Sequence, residues 1–305
     1  PAGEASQYAR ATRILRYSCA HGFILGNDSG EHGVGFGLAI GQQRERRCIE
    51  MPQIAAYERP RRDTGFHFVD QVSREVAGRT DRGVHAAGQV ASCDDIRPAM
   101  APEGIRRALE PNLGDAVAVV DVERVDAGFH ARYDATWREY RYRIWAGPRS
   151  PLIERHAWHR RRPLDLAAMA DAAARLVGTH DFASFVAGGE GVPWSERQHR
   201  RRGTIRSVRH CSVREVDGWW PSGPLAGQGI EVRVIADGFL PRMVRGFVGA
   251  LGEIGRGANE PAWIDELLER ADRRVGPQSA PPDGLVLWRI GYGNAVPDPD
   301  QRGGA

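Results

Sequence analysis

The sequence contains no lysine: all 42 residues counted as lysine or arginine are arginines. The sequence also contains 39 acidic residues. A guanidinium group binds phosphate through two parallel hydrogen bonds and stacks on aromatic rings, which an ammonium group does less well. The formal net charge of +3 says little by itself. Arginines nevertheless cluster at 160–162, at 200–202 and in WREYRYRIW (137–145). Such clusters favour binding to nucleic acid, although a solvated surface would also show them.

Cysteine pairs and long apolar runs are also missing. The four cysteines are scattered and form no C-x-x-C pair, which argues against a zinc site or a disulfide framework: Cys19, Cys48, Cys93 and Cys211. No apolar run approaches the roughly 18 residues that span a bilayer. No signal-peptide pattern opens the sequence. We therefore expect free thiols, no membrane association and a cytoplasmic location.

The pattern of apolar residues predicts an α+β protein. With 305 residues, 41% of them hydrophobic, the chain suits one large domain or two smaller ones. Helical spacing predicts helices at 102–113, 164–178, 243–257 and 261–272. Alternation and β-branched residues predict strands at 86–94, 115–125, 139–145, 204–216, 229–237 and 283–293. Several strands follow one another without a crossover helix, which indicates an antiparallel sheet with helices on one face.

The stretch VAGRTDRGVHAAGQV (76–90) has the composition of a functional site. Arg79 and Asp81 are two residues apart, so on an extended segment they face the same side. Gly83 allows a sharp turn after the acid. A neighbouring guanidinium favours an ionised carboxylate, which can act as a nucleophile or a base.

The residues alone leave several interpretations of this stretch open. Asp81 and His85 have D-x-x-x-H spacing, but Gly83 disfavours a helix there and no third metal ligand is nearby. A purely structural ion pair between Asp81 and Arg79 explains the pattern equally well. Neither a phosphate loop nor a dinucleotide fingerprint occurs, since GVGFGLAIG (33–41) lacks the required glycine spacing.

Five motifs together resemble the tRNA pseudouridine synthase A family. AGRTDRGVHA resembles its active-site motif G-R-T-D-x-G-V-H-A at every fixed position. FHARYDATWREYRYRI, GTHDFASF, DGFLPRMVRGFVGALGEIGRG and SAPPDGLVLWRIGY resemble four further family motifs, in the same order. The resemblance runs from Ala77 to about Tyr292.

The resemblance implies a fold and a reaction. The fold is two ferredoxin-like α/β halves that form one continuous antiparallel sheet around a central cleft. The reaction is the isomerisation of uridine to pseudouridine at positions 38, 39 and 40 of the tRNA anticodon stem-loop, without metal or cofactor. The family also implies a homodimer. The alternative is a tRNA-binding remnant that has lost catalysis, and a third hypothesis is a metal-dependent Asp/His hydrolase.

The resemblance also assigns roles to single residues. Asp81 matches the catalytic aspartate, and Arg79 the arginine that fills the space left by the flipped base. Tyr140 matches the tyrosine that packs on the target uracil, Arg245 the basic residue that pairs with the acid, and Leu285 an apolar pocket residue. Three other residues stay outside these roles: His85 supports the loop, and His180 with Asp181 caps a helix-to-strand connection. The arginines at 160–162 and 200–202 are expected to meet tRNA phosphates.

The N-terminal residues do not show the family motifs. Residues 1–76 contain neither Y-D-G nor G-W, so we expect the family's first strand to be missing and residues 1–60 to be mostly unordered. Divergence, a shifted reading frame and an unrelated extension would each explain this. The resulting divisions are 1–76, 77–114 for the rest of the catalytic half, 115–293 for the C-terminal half, and a disordered tail at 294–305.

Overall fold

The structure, a computed structural model, describes residues 12–19, 24–25, 36–38, 49–50, 76–94, 99–113, 116–186, 203–216, 227–293 and 295. The chain divides into two compact units, residues 1–135 and 136–305. This division lies downstream of the 114/115 boundary proposed from the sequence. Within the described ranges the chain forms twelve β-strands and four α-helices, which confirms the α+β class.

The first unit is built on three long antiparallel strands in the order β6–β1–β5. These are β1 (Thr12–Cys19), β5 (His85–Asp94) and β6 (Val117–Val125). Three short strands form a separate antiparallel sheet: β2 (Ile24–Leu25), β3 (Phe36–Leu38) and β4 (Ile49–Glu50). Helix α1 (Pro102–Leu109) continues into a 3-10 turn at Glu110–Asn112 and packs against β6. Ile105 is buried in the core of this unit, with Leu109 and Leu113 packed against it, as the helical spacing predicted.

Strand β1 corrects the expectation that a central strand is missing. It pairs with β5 along one edge and with β6 along the other, and its Leu15 is buried in the core. The sequence pattern did not predict this strand, because the charged Arg16 interrupts its apolar residues. In the structure Arg16 lies opposite Asp121 on β6 and forms ion pairs with Asp121 at 2.9 Å and Glu123 at 3.0 Å. Most of residues 1–60 lie outside the described residues.

The second unit contains a sheet with the order β12–β7–β11–β10–β9. Its strands are β7 (Ala135–Ala146), β9 (Gly178–Asp181), β10 (Ile205–Glu215), β11 (Gln228–Ala236) and β12 (Leu285–Tyr292). The pairs β7–β11, β11–β10 and β10–β9 are antiparallel, whereas the short strand β8 (Trp158–Arg160) runs parallel to β7. All strands predicted for this unit are present.

Three helices belong to this unit: α2 (Leu166–Arg175), α3 (Met243–Gly255) and α4 (Trp263–Arg270). Asp165 caps α2 by accepting a hydrogen bond from the Ala168 amide at 3.0 Å. The apolar residues that predicted α3 are all buried: Val244, Phe247, Val248, Leu251 and Ile254. Glycines recur every third residue on α3 and let neighbouring groups approach closely. A Cβ added to Gly249 would lie 1.9 Å from the Gln278 carbonyl oxygen.

Some predicted features fall outside the described residues. These include the arginines at 200–202 and the tail from 294 onward, apart from Ala295, whose carbonyl accepts a hydrogen bond from Trp137 Nε1 at 3.0 Å. Among the residues that the structure describes, we find no helix of the length and apolarity that crossing a membrane requires.

Candidate active site

The segment from Val76 to Val84 is a loop tied to β5. Val76 forms an isolated bridge with Ala91, and the Ala77 amide donates to the Val90 carbonyl at 2.9 Å. The buried side chain of Gln89 holds Gly78 from both sides: its Nε2 donates to the Gly78 carbonyl at 2.6 Å, and its Oε1 accepts from the Gly78 amide at 3.3 Å. The loop therefore has a fixed attachment immediately before Arg79.

The side chains of this loop alternate between solvent and interior. Arg79 and Asp81 are exposed, whereas Thr80 between them is 6% exposed. This arrangement agrees with the prediction that Arg79 and Asp81 face the same side. His85, at the start of β5, is buried. Its burial suits a supporting role in the loop.

A tight turn follows the acid. The Val84 amide donates to the Asp81 carbonyl at 3.0 Å, and Gly83 has φ of +87° at the third position of the turn. That position of a type II turn requires positive φ, which glycine adopts without steric cost. The turn presents Asp81 at its first position while Val84, which is 1% exposed, anchors the far end in the core. The sequence thus holds a single carboxylate at the surface of a rigidly attached turn.

Tyr140 lies on β7 in the second unit. Tyr140 is 8% exposed, and its ring meets Phe239 edge-on, with 5.0 Å between the ring centroids. Tyr142, two residues on, is fully buried and donates from its hydroxyl to the Pro281 carbonyl at 2.7 Å. Burial raises the pKa of Tyr142 far above its ordinary value, so this hydroxyl stays a donor. The predicted alternation of tyrosines and arginines along this strand is confirmed.

Arg245 and Leu285 border the same turn, residues 280–284. Arg245 Nε donates to the Ala280 carbonyl at 2.7 Å, and the Ala280 amide donates back to the Arg245 carbonyl at 2.9 Å. Leu285 is 6% exposed and its amide donates to the Pro282 carbonyl at 2.9 Å. Within this unit the structure therefore gathers Arg245 and Leu285 at one turn, to which β7 is also tied through Tyr142.

The sequence analysis missed a buried ionic cluster on β7. Glu139 is 0% exposed and receives guanidinium groups from Arg141 at 2.9 Å, Arg233 at 2.9 Å and Arg289 at 2.8 Å. Burial alone would raise the pKa of Glu139, but hydrogen bonds from Arg141 and Arg289 and the charge of Arg233 outweigh it and leave the pKa below its ordinary value. Tyr140, the next residue, points to the other face of the strand. The cluster therefore fixes the strand that carries Tyr140.

A signal for this cluster exists in the sequence. Charged residues alternate with apolar ones in EYRYR (139–143) and EVR (231–233). The register of β7 and β11 places Glu231 opposite Arg143 and Arg233 opposite Arg141. Once those two strands are paired, Glu139 lies diagonal to Arg233 and Glu231 opposite Arg143 on one sheet face.

His180 contacts the helix-to-strand connection as expected, whereas Asp181 caps the 3-10 turn Ala183–Phe185 that follows β9. Asp181 Oδ1 accepts from the Ala183 amide at 3.0 Å, and His180 Nε2 bonds the Val177 carbonyl at 3.1 Å. In the described part of the chain no three His, Cys, Asp or Glu side chains are grouped to hold a metal ion.

Comparisons with known proteins agree on one family. A family model described as tRNA pseudouridine synthase matches residues 172–293. The tRNA pseudouridine synthase A of Geobacillus kaustophilus is 37% identical over 229 residues, 74% of this chain and 81% of that protein. The enzyme of the same name from Syntrophotalea carbinolica is 36% identical over 83% of this chain and 91% of its own length. The enzyme of the same name from Moorella thermoacetica is 41% identical over 73% of this chain and 83% of its own length.

Proposed function

The chain belongs to the tRNA pseudouridine synthase A family, and on that premise we propose that it isomerises uridine to pseudouridine in tRNA, at positions 38, 39 and 40 of the anticodon stem-loop. One observation carries the assignment of the chemistry to this chain. A single exposed carboxylate, Asp81, stands at the first position of a turn that Gln89 and Val84 hold in place.

The reaction exchanges one bond for another within the nucleotide. The N1–C1′ glycosidic bond breaks, the uracil turns, and C5 bonds to C1′. C5 then loses its hydrogen as a proton while N1 gains one, so atoms balance without a second substrate. A group that attacks carbon or removes a proton must be ionised and placed near the sugar and base, and Asp81 is the proposed group.

The other proposed residues hold the substrate. Arg79 lies on the same side of the loop as Asp81, and we assign it to the space that the flipped uridine leaves. Tyr140 packs on the target uracil, where its rigid ring, already braced by Phe239, offers a flat apolar surface. Leu285 contributes apolar contact to the base. Arg245 supplies positive charge for the acid and is oriented by the Ala280 carbonyl.

Partner and location follow from the same premise. The substrate is tRNA, engaged through its anticodon arm, and the protein acts as a homodimer in the cytoplasm. The two ferredoxin-like halves with a central cleft remain part of the proposal. The resemblance supports the dimer, which sedimentation of the purified chain would test.

Tritium release tests the activity and its position together. Uridine labelled at C5 loses its tritium to water on isomerisation. One anticodon-arm transcript carries uridine only at positions 38, 39 and 40, and its control carries cytidine there with compensating base pairs. We expect release from the first transcript alone. Release from both would move the site elsewhere in tRNA, and release from neither would favour the tRNA-binding remnant.

A further inference from the structure

A groove lined by arginines crosses the second unit at β8 and the start of α2. Two adjoining cavities, of about 650 Å³ and 500 Å³, share His159 and Arg161 in their walls. We call this surface the arginine groove and define it by the side chains that line it: Arg149, His159, Arg160, Arg161, Arg162 and Arg256. It contains no residue to which the proposed chemistry was assigned.

The segment that carries the central arginines is anchored on both sides. At one end the Gly147 amide donates to the Arg160 carbonyl at 2.9 Å. At the other, Gln228 holds Leu164, accepting from its amide at 3.1 Å, and the Asp165 amide donates to the Gly255 carbonyl at 2.8 Å. The exposed residues 161–163 therefore form a short strap between two fixed points, so little chain entropy is lost when a ligand binds.

Some arginines of the groove have a carboxylate partner among the described residues, and others have none. Arg149 pairs with Glu154, and Arg256 pairs with Glu253. Arg160 lies over the Trp158 ring, 4.7 Å from its centroid. Arg161 and Arg162 make no ion pair or hydrogen bond with any residue that the structure describes. Among the residues that the structure describes, these two guanidinium groups on the strap therefore have no counter-charge, and the carboxylates nearby pair with Arg149 and Arg256 at the margins of the groove.

We propose that the arginine groove binds the sugar–phosphate backbone of tRNA, at a place distinct from the residues that act on the target uridine. This inference rests on the proposed function, which supplies a polyanionic substrate. Guanidinium forks match phosphate oxygens. The Trp158 ring is covered by the Arg160 guanidinium and meets Tyr142 edge-on, with 6.5 Å between the ring centroids. The groove therefore contacts phosphates and positions the substrate without reading its sequence.

The test is the salt dependence of tRNA binding by Arg161→Gln/Arg162→Gln. Affinity falls as salt rises, and each phosphate contact makes the slope of log affinity against log salt steeper by roughly 0.7 to 0.9. Losing two contacts should therefore make the slope shallower by about 1.5. Between 50 and 200 mM salt the wild type should then lose roughly 8-fold more affinity than the variant. The matched control is Arg270→Gln/Arg274→Gln, which removes the same charge outside the groove.

Each outcome decides the proposal. A slope that falls in the groove variant and not in the control supports it. Equal slopes in wild type and variant, or equal losses in variant and control, overturn it. If the groove variant loses binding to polyglutamate but keeps its binding to tRNA, the proposal is overturned in favour of an acidic protein partner. Binding is measured separately from turnover, so a chain that binds tRNA with the expected slopes but releases no tritium would disprove the proposed function and leave the groove standing.

Discussion

Glu139 is a fully buried carboxylate that carries its charge among three arginines, and replacing it by glutamine measures what the cluster does for the fold. The substitution keeps the shape of the side chain and removes its charge. Arg233, itself 4% exposed, then loses its ion pair with Glu139 in the interior. Removing one partner of a buried ion pair costs about 3–5 kcal/mol.

The assay is unfolding of the purified protein in urea and on heating, followed by circular dichroism and by tryptophan fluorescence. A loss of about 3–5 kcal/mol lowers the melting temperature by roughly 6–20 °C for a unit of this size. Glu154→Gln is the matched control in the same unit, because Glu154 makes the same kind of pair with Arg149 at the surface. We expect little change in the control. A Glu139→Gln variant as stable as Glu154→Gln would refute the reasoning.

The pH dependence adds a second check on the same residue. The folded protein holds the pKa of Glu139 below its ordinary value of 4.5. A carboxyl with a depressed pKa stabilises the fold fully above its unfolded value and loses that contribution as pH falls through the folded value. The stability gap between wild type and Glu139→Gln should be constant near neutral pH and narrow below about pH 4.5. A gap that widens on acidification would contradict this sign.

Two further predictions concern the loop and the helix layer. Gln89→Leu removes both hydrogen bonds to Gly78. Because the loop is then misplaced, we expect kcat to fall roughly 10- to 100-fold while the affinity for tRNA is retained. An unchanged kcat would show that the loop keeps its position without Gln89. Gly249→Ala forces a Cβ against the Gln278 carbonyl, and we expect a loss of roughly 1–3 kcal/mol or more in urea unfolding. The matched substitution Gly257→Ala has no neighbour within 4 Å but has φ of +76°, so its cost would report backbone strain alone.

Much of the fold could be predicted from local pattern. The helical spacing of Val244, Phe247 and Leu251 identified α3, because a helix against a sheet must bury one continuous stripe. Alternation identified β7 for the same reason, since successive side chains of a strand point to opposite faces. Asp81 could be singled out because a turn-forming glycine follows it among small residues.

The remaining features depend on partners far along the chain. Strand β1 escaped prediction because Arg16 breaks its apolar pattern, and the acids that neutralise it lie more than a hundred residues away on β6. The Glu139 cluster joins residues separated by 94 and 150 positions. Gln89 gave no sign of its role, because an isolated glutamine in a strand carries no pattern. Each of these contacts exists only once the strands are paired.

The central claim is that Asp81 performs the chemistry, and Asp81→Asn tests it most directly. The variant is compared with the wild type and with Asp126→Asn, which changes an exposed carboxylate of the same unit in the same way. Tritium release from C5-labelled anticodon arm and tRNA binding are measured on all three. We predict that Asp81→Asn binds tRNA normally and releases tritium roughly 10³-fold more slowly or not at all, while Asp126→Asn matches the wild type. An Asp81→Asn variant that turns over within about 10-fold of the wild type would contradict the account, because roughly 10²-fold is the smallest effect expected from losing a catalytic group.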